Sequence, residues 1–526
     1  MNESQKNSNG LVSGAISLTI SIFIVKSLGF LFKLPLSHLL GDEGMGYFNC
    51  AYTVFSFFYL LCSSGVPRAI SILVTEATVK GDTVSRKRIF KKSINLFATI
   101  GLILTVITLI FSPHISNLIG NKNALYSLAF ISPSLLIVSI SGVLRGYLNG
   151  ISQIVPISVS QVIEVIVKLG AGLVFALIGI RLGCDIYIIS AMTVCGVTLG
   201  SLLSTLYLYI YVKKSEARIK TRQKTILEKN DNNIIKKIIR LALPLTISSS
   251  IMGISNIFDL TMIMKRLSFI GYSEFEANSL YGNYTTLVIP MLNLVVALIS
   301  PITVAALPMI SGAHYLKDKH MLDSNSKGLI DITAFIAIPI GFGFLFYSEE
   351  ILSLLFNDSS AKIAAPLLIL IVPSMIFLPL LTVTNTILEA MECTKAPLIA
   401  SSIAAIIKFS VSYYLIGDHE FGISGAPLGT SISYGIAWVI SVIILLKKTN
   451  ISISVLKGLV KPLLFSFISL YISKAIYTVS ADSINNVIAF SISVLIAVVV
   501  YLILSLTFGV ISIQKIKSMS ILTKTS

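Results

Sequence analysis

The chain has 526 residues, of which 55% are hydrophobic and 12% charged, with a mean hydropathy of +0.88. These values lie outside the range of soluble globular proteins and put most of the chain in a bilayer, where each crossing takes about 20 apolar residues. Charge-poor runs use nearly the whole length, so no large soluble domain fits, and the formal net charge of +16 has to be read from its placement rather than as affinity for nucleic acid.

The polar N-terminus up to Gly10 leads into an apolar stretch too long for a signal-peptide core and without a small-residue cleavage pattern, which predicts a retained first span. In chain order the spans are expected at 14–40, 47–74, 93–112, 124–148, 156–180, 187–212, 237–263, 278–311, 328–347, 363–388, 397–416, 423–445, 459–478 and 486–507, an all-α polytopic protein with about fourteen transmembrane helices. Alternate connections differ in charge. One set holds Lys80, Arg86, Lys87, Arg88, Lys91 and Lys92, then the stretch from Lys213 to Arg240, then Lys317, Lys319, Lys447, Lys448, Lys515 and Lys517. The other holds Asp42, Glu43, Glu274, Glu276, Glu349, Glu350, Asp418 and Glu420. Lys and Arg number about 27 on the first side against about 5 on the second, and the positive-inside rule then places both termini in the cytoplasm of a bacterial cell.

The long basic connection after the sixth span divides the chain into an N-terminal lobe, residues 1–212, a linker, 213–236, and a C-terminal lobe, 237–446, with two further spans and a tail in 447–526. A weak internal repeat agrees with that division: Leu144 to Gly150, Pro156 and Lys168 are echoed by Thr386 to Ala390, Pro397 and Lys408. Repeated halves recur in secondary transporters.

Within the spans the informative residues are charged, because each costs about 2.5–3.5 kcal/mol at a helix centre and is functional by default. Lys26 and Lys33 lie two helical turns apart, at a separation of about 10 Å on one face. Arg68 and Arg145 fall near the inner ends of the second and fourth spans, Glu164 and Lys168 share the fifth at i, i+4, and Lys408 sits mid-span in the second half. Lys33 and Arg145 are near enough to span ends to reach an interface instead, and Glu164 and Lys168 either neutralise each other or face a cavity. Lys26 and Lys408, deep and without a carboxylate one turn away, are read as lining a polar cavity. Such a cavity suits an anion, and the planar fork of Arg68 suits phosphate oxygens.

Asp259, with Asn256 one turn away, is a lone deep acid, either a coupling-ion site or a partner for Lys265 or another base. Pro67, Pro244, Pro290, Pro301 and Pro308 interrupt spans, as in helices that bend. Cys50, Cys62, Cys184, Cys195 and Cys393 and the five histidines are scattered, so they read as packing residues with no metal site. No cofactor motif and no nucleotide-binding motif occurs.

Gly41-Asp-Glu-Gly-Met-Gly46, Gly65-Val-Pro-Arg-Ala-Ile-Ser71, Glu76 to Asp82, and Leu144 to Gly150 continuing through Pro156 to Lys168 together resemble the stage V sporulation protein B group. That group belongs to the polysaccharide-export branch of the multidrug/oligosaccharidyl-lipid/polysaccharide flippase superfamily, beside the lipid II flippases. The similarity is specific over about residues 10–170 and runs faintly to about 450. It implies two six-helix lobes around a central cavity, alternating access, and a polyprenyl-diphosphate-linked saccharide as substrate. It also implies a monomer among membrane lipids, working beside cell-wall synthesis machinery, with no nucleic-acid partner. Lys26 and Lys33 match the stretch in which such flippases place two cavity arginines, and Arg68 lies in the region of a third. Two departures stand out. Nothing charged occurs between Leu280 and Leu307, where relatives carry a basic residue, and Lys408 stands where a sodium site wants oxygen, which counts against sodium coupling.

A drug exporter of the same superfamily would favour buried acids, and a membrane glycosyl transferase would need an acid or base on a long outer loop; the excess of intramembrane cations and the short outer loops argue against both. The charge alternation makes the topology testable. Cysteines introduced at Glu43, Glu350 and Glu420 should react with an impermeant thiol reagent applied to whole cells, while cysteines at Lys87, Lys224 and Lys448 should stay protected; labelling of both sets would reject the fourteen-span reading.

Overall fold

The computed structural model describes residues 3–63, 65–218, 231–393, 395–449, 454–481 and 484–509, and for parts of some helices, residues 3–26 among them, the backbone alone. Among the described residues every regular element is helical. Twelve helices there are long and apolar enough to cross a membrane. The first of these runs, Ser27–Val79, has 53 residues, about 80 Å if helical throughout against a hydrocarbon core of about 30 Å. Fourteen remains the expectation if that run divides and the long helix Asp231–Phe269 also spans.

In the first part of the chain α1 (Glu3–Ser63) is broken at Gly41, whose φ of 63° and ψ of −175° leave the helical region at a position where a side chain would be strained. Then follow α2 (Gly65–Val79), α3 (Thr83–Ile119), α4 (Ala124–Ile131), α5 (Pro133–Gly150), α6 (Val155–Arg181), α7 (Ile186–Arg218), α8 (Asp231–Phe269) and α9 (Glu274–Asn283). Local signals set the ends. Asp82 caps α3 by accepting the Ser85 N–H at 2.8 Å, and Gly120 closes it in the left-handed region. Pro133 divides α4 from α5 by starting the second helix. Ser273 and Glu276 form a reciprocal capping box on α9.

A π-helical turn, Tyr284–Val288, follows α9. Beyond it come α10 (Ile289–Tyr315), α11 (Lys319–Phe346), α12 (Ser348–Leu355), α13 (Asp358–Ala390), α14 (Lys395–Ile416), α15 (Gly425–Lys448), α16 (Ser454–Ala481) and α17 (Asn486–Thr507). The chain forms two compact units, Met1–Thr286 and Leu287–Ser526, and passes from one to the other inside the π turn. Helices α8 and α9 thus pack with the first unit, against α1, α2 and α3 in the case of α8 and against α1 in the case of α9.

In the first unit backbones approach closely where glycine removes the side chain, the membrane substitute for hydrophobic driving force. A Cβ on Gly200 of α7 would lie 2.5 Å from the Glu164 carbonyl of α6, and one on Gly196 would lie 2.5 Å from the Gly172 nitrogen. On α5 the motif around Arg145 does the same against α2, with Gly146 against Pro67. The break in α1 meets α9 in a third seam. There a Cβ on Gly46 would stand 2.3 Å from the Asn278 carbonyl, and one on Gly282 would stand 2.1 Å from that of Asp42.

The second unit has its own apolar core, with Ile330, Ile338, Leu380, Ile387, Trp438 and Leu445 buried together. Helices α16 and α17 are joined to it by polar clasps. The Tyr347 hydroxyl lies 2.6 Å from Ser473 Oγ, which donates to the Ser493 carbonyl, and the Tyr501 hydroxyl donates to the Phe335 carbonyl at 2.9 Å. Lys474 is ion-paired with Glu350 and lies over the rings of Tyr347 and Tyr477.

The α1–α9 seam leaves no room for a methyl group. Gly282→Ala should lower the melting temperature of the detergent-solubilised protein by several degrees, in line with the roughly 1–3 kcal/mol of overpacking. Gly312→Ala, where nothing lies within 4 Å of an added Cβ, should leave it unchanged or raise it slightly.

Candidate anion site in the first unit

The site is built on one face of α1. Phe48, Tyr52, Phe55 and Tyr59 recur at spacings of four, three and four and so project from the same side of the helix, with successive ring centroids 5.9, 5.8 and 5.8 Å apart. Their phenols meet the charges of α5 and α6. Arg145 donates through Nη2 to Glu164 Oε2 at 2.6 Å and through Nη1 to the Tyr59 hydroxyl at 3.2 Å, while Ser204 of α7 donates to the same carboxylate oxygen at 3.5 Å. The two charged side chains are only 9% and 18% exposed. Glu164 is therefore paired across helices with Arg145 and not with Lys168 one turn along its own helix.

Lys168 turns instead to Tyr52, donating to its hydroxyl at 3.0 Å with Nζ 4.3 Å from the ring centroid. Lys33 donates to the backbone carbonyl of Thr285 at 2.8 Å, and the two ammonium groups are close enough to repel one another. Both are half-buried. The four charges split into two kinds. Arg145 and Glu164 form a buried neutral pair. Lys33 and Lys168 bear against a carbonyl and a phenol, neutral oxygens that balance none of their charge. An incoming phosphate can displace such partners, because it adds the attraction of opposite charges that a carbonyl or a phenol lacks.

The remaining candidates lie elsewhere. Arg68 is exposed on α2, with no ion pair among the described residues, and Asn256 is exposed on α8. Asp259 is half-buried on α8, within electrostatic reach of the buried Tyr281. Lys408 is half-buried on α14 and belongs to the second unit. Lys26 lies on the α1 backbone, and its side chain is outside the described residues. No group of three or more His, Cys, Asp or Glu able to hold a metal occurs among the described residues.

Tyr52 and Tyr59 are the site residues that charge-based reading passes over. Their signal is the run Phe48-Asn-Cys-Ala-Tyr-Thr-Val-Phe-Ser-Phe-Phe-Tyr59, in which aromatic residues recur at helical spacing opposite the cationic helices.

The sequence pattern of the lipid II flippase MurJ family matches residues 36–517. The chain belongs to that family. It is a family of membrane transporters, and the chain is a multi-pass membrane protein of its kind. Among curated relatives it is 28% identical over 426 residues to the stage V sporulation protein B of Bacillus subtilis (strain 168), covering 79% of this chain and 80% of that protein. It is 22% identical over 443 residues to the lipid II flippase MurJ of the same organism, covering 81% of each. Among solved structures, a lipid II flippase MurJ in an inward closed conformation matches with a TM-score of 0.73 at 20% identity, over 94% of this chain and 98% of that one. An inward-facing multidrug resistance transporter of the MATE family matches at 0.63 and 16% identity, over 84% and 98%. At these identities the two structures establish the shared helical fold.

Because Arg145 and Glu164 are buried together, removing one should be worse than removing both. Glu164→Ala should destabilise the protein by roughly 3–5 kcal/mol by leaving a buried guanidinium uncompensated. The double replacement Arg145→Met with Glu164→Leu should recover most of that loss, as read by thermal unfolding in detergent.

Proposed function

We propose that this protein carries an undecaprenyl-diphosphate-linked peptidoglycan precursor, lipid II, from the inner to the outer leaflet by alternating access, with both termini in the cytoplasm. The observation that carries the reading is the state of Lys33 and Lys168: two intramembrane ammonium groups, each resting on a neutral oxygen. A soluble or lipid-facing role gives no reason to hold two cations there, whereas a diphosphate supplies the charge and the acceptors they lack. Membership of the lipid II flippase family selects the lipid-linked precursor over other anions. The likeness to a protein named for stage V of sporulation makes the spore cortex the first wall to test, ahead of vegetative peptidoglycan. The chain acts as a monomer and hands its cargo to wall-synthesis enzymes at the outer surface. Lys26, Arg68 and Lys408 are proposed as further cationic contacts on the route, and Asp259 with Asn256 as a coupling-ion site to be tested beside them.

The driving force follows from the charge of the cargo. Moving one charge through 100 mV is worth about 2.3 kcal/mol, so a diphosphate near −2 moving toward the positive side gains up to about 4.6 kcal/mol. Cations that shift with the headgroup reduce the charge moved and hence that gain.

In energised vesicles that receive the lipid-linked precursor on the inner-leaflet side, flipping should slow when the potential is collapsed with valinomycin and potassium at zero pH and sodium gradients. Lys168→Ala should weaken transport by about 10- to 100-fold, the value of a hydrogen bond to a charged group, and Tyr52→Phe much less. Transport indifferent to potential and abolished by Asp259→Asn would replace this reading with ion exchange through Asp259; normal transport in Lys168→Ala would remove the anion site.

A further inference from the structure

The seam between α1 and α9 is closed by buried neutral contacts and two charged groups, the Asp42 carboxylate, which accepts from Asn283 at 3.2 Å, and the Lys33 ammonium. Asn278 donates to the Glu43 carbonyl at 2.8 Å and accepts from Asn121 at 2.7 Å, Asn49 donates to Thr286 Oγ1 at 2.7 Å, and the Thr53 and Tyr281 hydroxyls lie 3.0 Å apart. Asn49, Asn121, Asn278 and Thr286 are all buried. Among these contacts Lys33 alone brings a positive charge, through its bond to the Thr285 carbonyl.

That carbonyl has a particular need. The turn Tyr284–Val288 is π-helical, so each carbonyl looks five residues ahead for its donor. Five residues ahead of Thr285 is Pro290, which has no N–H. The run of π bonds cannot continue there, and the Lys33 ammonium donates to the carbonyl at which that run meets proline. An unsatisfied carbonyl within a membrane is costly, so the ammonium stabilises the turn as well as the seam.

We propose that Lys33 couples cargo to the seam: by donating to Thr285 it replaces the N–H that Pro290 lacks, and a diphosphate that captures its ammonium withdraws that donor and loosens α9 from α1. The diphosphate is taken from the flippase reading above; the donor replacement is independent of it. Lys33 is a coupling residue because it has two uses that exclude one another. Among the described residues Lys168 bonds to Tyr52 and not to the seam, so it binds without releasing it; its repulsion of Lys33 favours whichever partner is the anion.

Cys50 reports on the seam. It is fully buried on α1 and within electrostatic reach of Tyr281 on α9, and it serves as the sole thiol once Cys62, Cys184, Cys195 and Cys393 are replaced by alanine. In this background, full-length protein in detergent should react slowly with a maleimide, and undecaprenyl diphosphate should speed labelling about tenfold or more, the scale of one hydrogen bond to a charged group. Lys33→Met should label fast without lipid and gain nothing from it, and Lys33→Arg should stay slow. Adding Pro290→Ala to Lys33→Met should restore slow labelling by returning an N–H to the helix, a recovery that a merely misfolded variant would not show. Slow labelling of Lys33→Met, continued acceleration by lipid in that variant, or failure of Pro290→Ala to rescue would each overturn the proposal. Direct binding of radiolabelled undecaprenyl diphosphate to the unsubstituted protein separates the two readings. Without binding the flippase reading fails, while the lipid-free comparison of Lys33→Met with its Pro290→Ala double still decides the donor replacement.

Discussion

A charge inside a bilayer must be answered by something, and the first unit is organised around the ways its charges are answered. The charge of Arg145 is balanced by Glu164, with Tyr59 accepting a further bond, and the pair is largely buried. Lys168 and Lys33 are answered by oxygen without charge. The first arrangement fixes α5 and α6 in place, because separating its members would strand an ion. The second leaves the charge unbalanced, so on the proposed function either ammonium would gain the attraction of an opposite charge by exchanging its neutral partner for an anion. A transport site needs both kinds, a scaffold that does not respond to cargo and groups that do.

The fold supplies these positions through close backbone contact. Glycine seams hold α6 on α7, α5 on α2 and α9 on α1, and in each the absent side chain is what allows a neighbouring polar residue to reach its partner. The second unit is tied differently. Its last two helices are attached by hydroxyl bonds and by Lys474 on Glu350 between two tyrosine rings.

Much of the architecture was legible in the sequence because hydropathy has no competitor in a membrane protein. Apolar runs of sufficient length must be helices, and the break at Gly41 falls inside the first conspicuous motif, between the first two expected spans. The charged residues of the first half were legible for the same reason, since hydrocarbon makes every one of them conspicuous. Their partners were not. Glu164 has a basic residue one turn away, and local spacing offered that pair, but the geometry chose Arg145, 19 residues distant and on another helix. The docking of α9 on α1 rests on contacts such as Asn121 to Asn278, 157 residues apart, for which a single sequence gives no sign. Pro290 reads only as a point of bending; that it falls five residues after Thr285 matters because of the π register, which no periodicity announces.

The glycine seam between α6 and α7 has a consequence for watching the molecule at work. With Gly196 against the Gly172 backbone and Gly200 against the Glu164 carbonyl, these two helices meet main chain to main chain at two levels, where an added methyl group would force them apart. They form a closely packed pair that carries Glu164, Lys168 and Ser204 together. Distances within it serve as an internal ruler, a constant against which spectroscopic labels on every other helix of the first unit can be calibrated during a transport cycle.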